Sequence, residues 1–260
     1  MLGEINHIVV IQSLENERQT GEEIYNDCIK RQIEFRKSAI THRFFKANTK
    51  KQFIEVLRYC HANAPYMAGG IVLHLEMHGD ADRKGLVLAD HSLITWAELV
   101  GYFRPINIST CNKLSVSMAT CNGRYLYLGV SPYEKSPYSC YISASTTVSS
   151  SEIVDQFSLL FERLVENGNL VNAYLDMEAR GTSFYYKDSK TTFEEAFASA
   201  AEKLMTDPDV RAETIHLTQM ETARQGVGMP PESSFDTIRM RALKDTYKRH
   251  RKAFDFSDCQ

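Results

Sequence analysis

Two apolar runs of the chain end in residues capable of chemistry. The run 69–77 closes with Met77 and is followed by His78, Gly79 and Asp80; the run 114–120 is followed by Cys121, Asn122 and Gly123. A thiolate is the nucleophile in thiol hydrolysis, and an imidazole takes and returns the proton that the reaction moves. Glycine at 79 lets the backbone pass close to a substrate and offer its N–H, and glycine at 123 is expected to allow the tight turn that exposes Cys121. The N–H groups of Gly79 and Cys121 would then hold the oxyanion of a tetrahedral intermediate. A cysteine or a histidine alone at a strand end is ordinarily structural. Together, each with a glycine close behind, Cys121 and His78 point to catalysis.

A rival constellation shares the first run. His74, Glu76 and His78 form H-x-E-x-H, and strand alternation puts all three on one face, where they could hold a metal. The P-C-x-x-C half of the zinc-deaminase signature is missing and no further ligand cluster accompanies the motif, so the favoured role of His74 and Glu76 is to bond a covering helix or support the active-site loop. No metal or cofactor is expected. Of the other cysteines, Cys28 and Cys60 lie on predicted helices facing the core. Cys111 falls in a polar loop, Cys140 opens a strand that could approach the cleft, and Cys259 is expected to be exposed in the tail.

These residues need elements to position them. The β-branched segment 5–11 reads as a buried strand, 40–45 as a second, 69–77 as a third, 114–120 as a fourth and 138–145 as a fifth. Capping-box patterns open helices at Thr20, Thr49, Thr95 and Ser149, with Glu or Gln three residues on. Segments 85–89 and 93–94 form a hairpin turning at residues 90–92. Segment 170–175 reads equally as a sixth strand or a helix. Alternating strands and helices predict a mostly parallel sheet with helices on both faces, in which reactive groups gather at the carboxyl ends of the strands.

The 260 residues are 43% hydrophobic and 24% charged, with a net charge of -3, enough to bury a core and too little basic charge for a nucleic-acid surface. No run approaches the length of a membrane span, and the N-terminus lacks the pattern of a secretory signal. Six scattered cysteines suit a reducing cytoplasm. The last 80 or so residues are helical and polar, broken at residues 226–231, and the basic run 239–252 reads as a solvated helix face.

An apolar strand into His-Gly-Asp followed by a second into Ala-Thr-Cys-Asn-Gly resembles the caspase-like cysteine peptidases, most of all the bacterial group that includes the CHAT domains. The resemblance covers about residues 1–180. It implies a three-layer α/β caspase-like domain over residues 1–180, with residues 181–260 as a helical extension that packs on the core or binds a partner. It implies a cysteine endopeptidase working through a Cys121/His78 dyad and a thioester, with Gly79 in the oxyanion hole. The cysteine's flank differs from the Gln-Ala-Cys-x-Gly of caspases proper. By the same resemblance the first substrate pocket draws on the loop 15–19 and the strand 139–146. Arg18 is the cation that could meet an acidic side chain, and Ser143 and Ser145 are the small residues of a groove where a substrate strand could add to the sheet. Relatives of this kind act in bacterial defence, antiviral defence included, or in regulated cell death, on protein or peptide substrates and under a regulatory protein partner; neither nucleic acid nor membrane is implied. The alternative is a catalytically silent caspase-like scaffold that acts by binding proteins.

Overall fold

The computed structural model describes residues 3–228 and 231–259. Met229 and Pro230, inside the expected break at 226–231, lie outside the described residues, as does the side chain of Cys259. The chain divides into two compact units, Met1–Ser189 with Phe256–Gln260, and Lys190–Asp255.

The first unit alternates strands and helices as its sequence pattern requires. Strand β1 (His7–Ser13) leads into α1 (Thr20–Ile24), which continues through a π-helical stretch, Tyr25–Lys30, into α2 (Arg31–Arg36). Then follow β2 (Thr41–Lys46), α3 (Lys50–Asn63), β3 (Ile71–Gly79), the short β4 (Gly85–Val87) and β5 (Leu93–Thr95), α4 (Trp96–Ser109), and β6 (Leu114–Ala119). A 3-10 turn (Gly123–Gly129), β7 (Cys140–Ala144), α5 (Ser150–Asn167), α6 (Leu170–Ala179) and β8 (Phe184–Asp188) complete it. The ambiguous segment 170–175 is thus helical, started by Asn169, whose side chain accepts from the N–H groups of Val171 and Asn172.

The main sheet has the order β2-β1-β3-β6-β7-β8, and every pairing in it is parallel except the last. β4 and β5 form the expected hairpin, attached to the end of β3. β8 has no counterpart among the strands read from sequence, and it carries the sheet past residue 180. Alternation sorts β1 and β3 between two cores. Val9, Ile11, Leu73 and Leu75 pack with Phe53, Leu57, Trp96 and Phe103 of α3 and α4. Ile8, Val10 and Val72 pack on the other face with Ile24, Phe157, Phe161 and Leu164 of α1 and α5. Burying each such side chain contributes roughly 1.5–3 kcal/mol against exposure.

Three of the four capping threonines and serines behave as their patterns predict. Thr49 and Thr95 make reciprocal boxes with Gln52 and Glu98, and Ser149 accepts from the Glu152 N–H. Thr20 does not: the N-cap of α1 is Gln19, without a side-chain bond, because the Thr20 hydroxyl donates to the buried Glu76 instead. A tertiary partner has outcompeted the local one.

The second unit consists of α7 (Ser189–Thr206) beyond its first residue, α8 (Pro208–Gln225) and α9 (Glu232–Arg251). Phe193 and Phe197 of α7 meet Tyr247 of α9 at ring distances of 6.0 and 5.1 Å. None of the residues of α7 or α8 is fully buried.

Candidate active site

Parallel pairing of β3 and β6 holds Ile71 against Leu114 and runs to Glu76 against Ala119. His78 and Cys121 each lie two residues beyond that last pair. The order and register therefore deliver both to the carboxyl edge of adjacent strands, where α/β sheets place reactive groups. They line one cleft of about 100 Å³, together with Glu17, Arg18, Thr20 and Glu76.

The backbone at this edge is tight. A methyl group on Gly79 would lie 1.8 Å from the Cys121 carbonyl oxygen, so only glycine permits the approach. Asp80 donates its N–H to Gly85 O at 3.0 Å, and Gly79 pairs with Leu86 in the antiparallel ladder. Alternation along such a ladder turns the Gly79 N–H away from β4. Asp80 also accepts from the Lys84 N–H, and Asp82 pairs with the Lys84 ammonium, so both are turn residues between β3 and β4.

Gly123 plays a different part from the one expected of it. The left-handed residue after Cys121 is Asn122, with φ of 59°. Gly123 has ordinary φ, and its lack of a side chain makes room for Thr120 and Ser143, whose Cγ2 and Cβ would stand 2.9 and 3.0 Å from an added methyl. Asparagine tolerates the left-handed turn, which frees glycine for close packing.

The His78 side chain is 59% exposed, and its Nε2 meets Glu17 Oε1 at 2.7 Å. An ionised carboxylate only accepts, so the Nε2 hydrogen is directed at Glu17 and Nδ1 is the ring atom left to take a proton. Glu17 went unmarked in the sequence because its partner lies 61 residues away; its one signal is its place in the loop after β1, two residues before Gln19.

Beneath His78, on the same face of β3, lies a buried chain of polar groups. Ser117 Oγ meets His74 Nδ1 at 3.0 Å, His74 Nε2 meets Glu76 Oε1 at 2.9 Å, and the Thr20 hydroxyl donates to Glu76 Oε2 at 2.7 Å. The His74 ring stands 4.7 and 4.9 Å from the rings of Phe157 and Phe161. Glu76 thus bonds α1 through Thr20, whereas His74 bonds Ser117 of β6 and Glu76 of its own strand and meets α5 only by ring contact, so both of its ring nitrogens are engaged within the protein. No cluster of three or more His, Cys, Asp or Glu side chains with metal-holding geometry occurs among the described residues.

The remaining expected residues scatter. Arg18 lines the cleft but grips Glu23 through two bonds, of 2.9 and 2.6 Å. Ser143 is buried, and its hydroxyl has no hydrogen-bond partner among the described residues. Ser145 is half-buried beyond the end of β7. The edge of β7 on which a substrate strand was expected to add is taken by β8, paired from Cys140–Asp188 to Ala144–Phe184. Cys140 points its thiol at Ser115 Oγ and is buried away from the cleft. Burial pushes the Cys28 and Cys140 thiols up, and that of Cys60 up to about 12. Cys121 is half-buried and lines the cleft.

No helix among the described residues is long and apolar enough to cross a membrane. No protein-family model matches the chain, and no curated protein matches it. Among solved structures, the chain is similar to the initiator caspase Dronc of Drosophila, with a TM-score of 0.50 and 13% identity, over 72% of this chain and 82% of that one. At this identity the likeness is one of architecture: the chain has a mixed α/β fold of the caspase-like kind, with a mostly parallel central sheet and helices around it.

Proposed function

We propose that this protein is a cysteine endopeptidase with Cys121 as nucleophile and His78 as acid and base. The observation that carries the reading is the shared cleft: a partly exposed thiol and an imidazole sit at the carboxyl edge of adjacent parallel strands, with the Gly79 backbone against that of Cys121. The Cys121 thiolate attacks a peptide carbonyl carbon. The oxyanion is received by the N–H groups of Gly79 and Cys121. His78 gives its proton to the departing amine, leaving a thioester on Cys121, then takes a proton from the water that hydrolyses it. His78 is bonded to Glu17 rather than to Cys121, and catalytic hydrogen bonds commonly form only once substrate is bound. Glu17 is the positioning residue in this scheme, holding the ring tautomer as a carboxylate does in other triads.

The test is cleavage of a peptide library by the full chain beside Cys121→Ala and His78→Ala. Cleavage by the wild type that both variants lose, with their folds intact by circular dichroism, is the expected result. Cleavage that survives Cys121→Ala sinks the reading.

A further inference from the structure

Resting on the peptidase reading, we infer that the cleft beside Cys121 receives the cationic side chain of a lysine or arginine immediately before the bond that is cut. The argument starts from the charges in the cleft wall. Arg18 is its one arginine or lysine, and both of that guanidinium's bonds go to Glu23. Glu17 is turned to His78. At the floor lies Glu76, only 1% exposed, its two oxygens met by a hydroxyl and an imidazole.

The Glu76 carboxyl has lone pairs for donors beyond these two, and an incoming ammonium or guanidinium supplies such donors. An acidic side chain would instead meet Glu76 and a guanidinium already bonded to Glu23, reversing the preference expected for Arg18. The rest of the wall agrees: Leu14, Val148 and Ile153 offer apolar surface to the methylene stem of a long cationic side chain. The placement of Glu76 is itself enforced. A methyl group on Gly21 would stand 2.7 Å from Glu76 Cγ, so the helix sits directly on this side chain and fixes it.

Two peptidyl acyloxymethyl ketones, identical but for lysine or aspartate at the residue before the reactive group, separate the possibilities. The full chain is labelled with each, and the adduct at Cys121 is followed by mass spectrometry. The lysine probe is expected to react roughly 100-fold faster or more, since even a single difference in pocket contact commonly reaches that discrimination. Equal rates, or a faster aspartate probe, overturn the inference while leaving the peptidase reading intact.

A second arm is independent of catalysis. p-Aminobenzamidine is titrated by fluorescence into Cys121→Ala with and without Glu76→Gln. Binding that Glu76→Gln weakens about tenfold or more supports the inference; absence of binding to Cys121→Ala overturns it. Binding together with a Cys121 that neither probe labels keeps the cationic cleft and counts against the peptidase. Because Glu76→Gln alters a buried network, Glu23→Gln serves as a surface variant. It frees Arg18, and the lysine-to-aspartate rate ratio is expected to fall several-fold; an unchanged ratio in the folded variant overturns the inference.

Discussion

Gly79 and the carbonyl of Cys121 touch so closely that a single methyl group on Gly79 would come within 1.8 Å of the oxygen. Gly79→Ala must therefore push the Cys121 loop away. The expected outcome is a loss of about 1–3 kcal/mol of stability, the usual cost of overpacking, with a folded protein whose Cys121 chemistry is impaired far more than its stability. Urea denaturation and the Cys121 labelling rate, taken on one preparation, check both halves.

Glu17 and His78 give a sharper kinetic prediction. Glu17→Gln keeps an acceptor but removes the charge, so kcat should fall about tenfold or more while KM holds, equally for every substrate; Glu17→Asp should recover part of the loss. A KM effect without a kcat effect would mean that Glu17 binds substrate instead of orienting the ring.

Thiol reactivity follows exposure and burial. A neutral alkylating reagent at pH 7.5 should modify Cys121 well before Cys28, Cys60 and Cys140, whose thiols are buried and pushed up. Peptide mapping at partial modification locates the first site. Early modification of Cys140 would show that β7 and β8 separate readily.

The buried bond from Thr20 to Glu76 ties the start of α1 to β3. Thr20→Val removes the donor and leaves a buried carboxylate oxygen short of a partner, so a loss of about 1–3 kcal/mol is expected from equilibrium unfolding. Thr20→Ser, which keeps the hydroxyl, should lose much less.

Glu98 provides the pH test. Its carboxyl is held below the usual value, first by the Lys50 ammonium and then by the Thr95 N–H that it caps. A depressed folded value stabilises the fold above the unfolded value, 4.5 for a glutamate, and that stability is lost as pH falls through the folded value. Glu98→Gln, which can keep the capping bond as Gln52 does but removes the charge, should therefore cost roughly 0.2–1 kcal/mol at pH 7, and progressively less as pH drops below the unfolded value. Thermal unfolding of both proteins from pH 7 to pH 3 measures the convergence.

How far the sequence reveals all this depends on the range of each interaction. β1 is largely β-branched and β3, β6 and β7 are largely apolar, and the boxes at Thr49 and Thr95 close within three residues, so local pattern suffices to place them. His78 and Cys121 were visible because each terminates such a run. β8 was not: Phe184–Asp188 carries one fully buried residue, Phe184, beside an exposed Tyr185, a half-buried Tyr186 and two charged residues, and only its antiparallel partner makes it a strand. Thr20 misled because its box pattern competes with a glutamate 56 positions away. Glu17 and the neutralisation of Arg18 are likewise decided in three dimensions, as is the exchange of roles between Asn122 and Gly123.

The alternation of β3 has one more consequence. His74, Glu76 and His78 share a face, while Leu73, Leu75 and Met77 occupy the other core. A slip of β3 by a single residue would exchange the two sets, driving three ionisable side chains against Phe53 and Phe103 and turning three apolar ones toward Thr20 and Glu17. Mispaired intermediates of the sheet are thereby penalised at the strand that carries the histidine. The same residues that equip the cleft also proofread the folding of the strand that builds it.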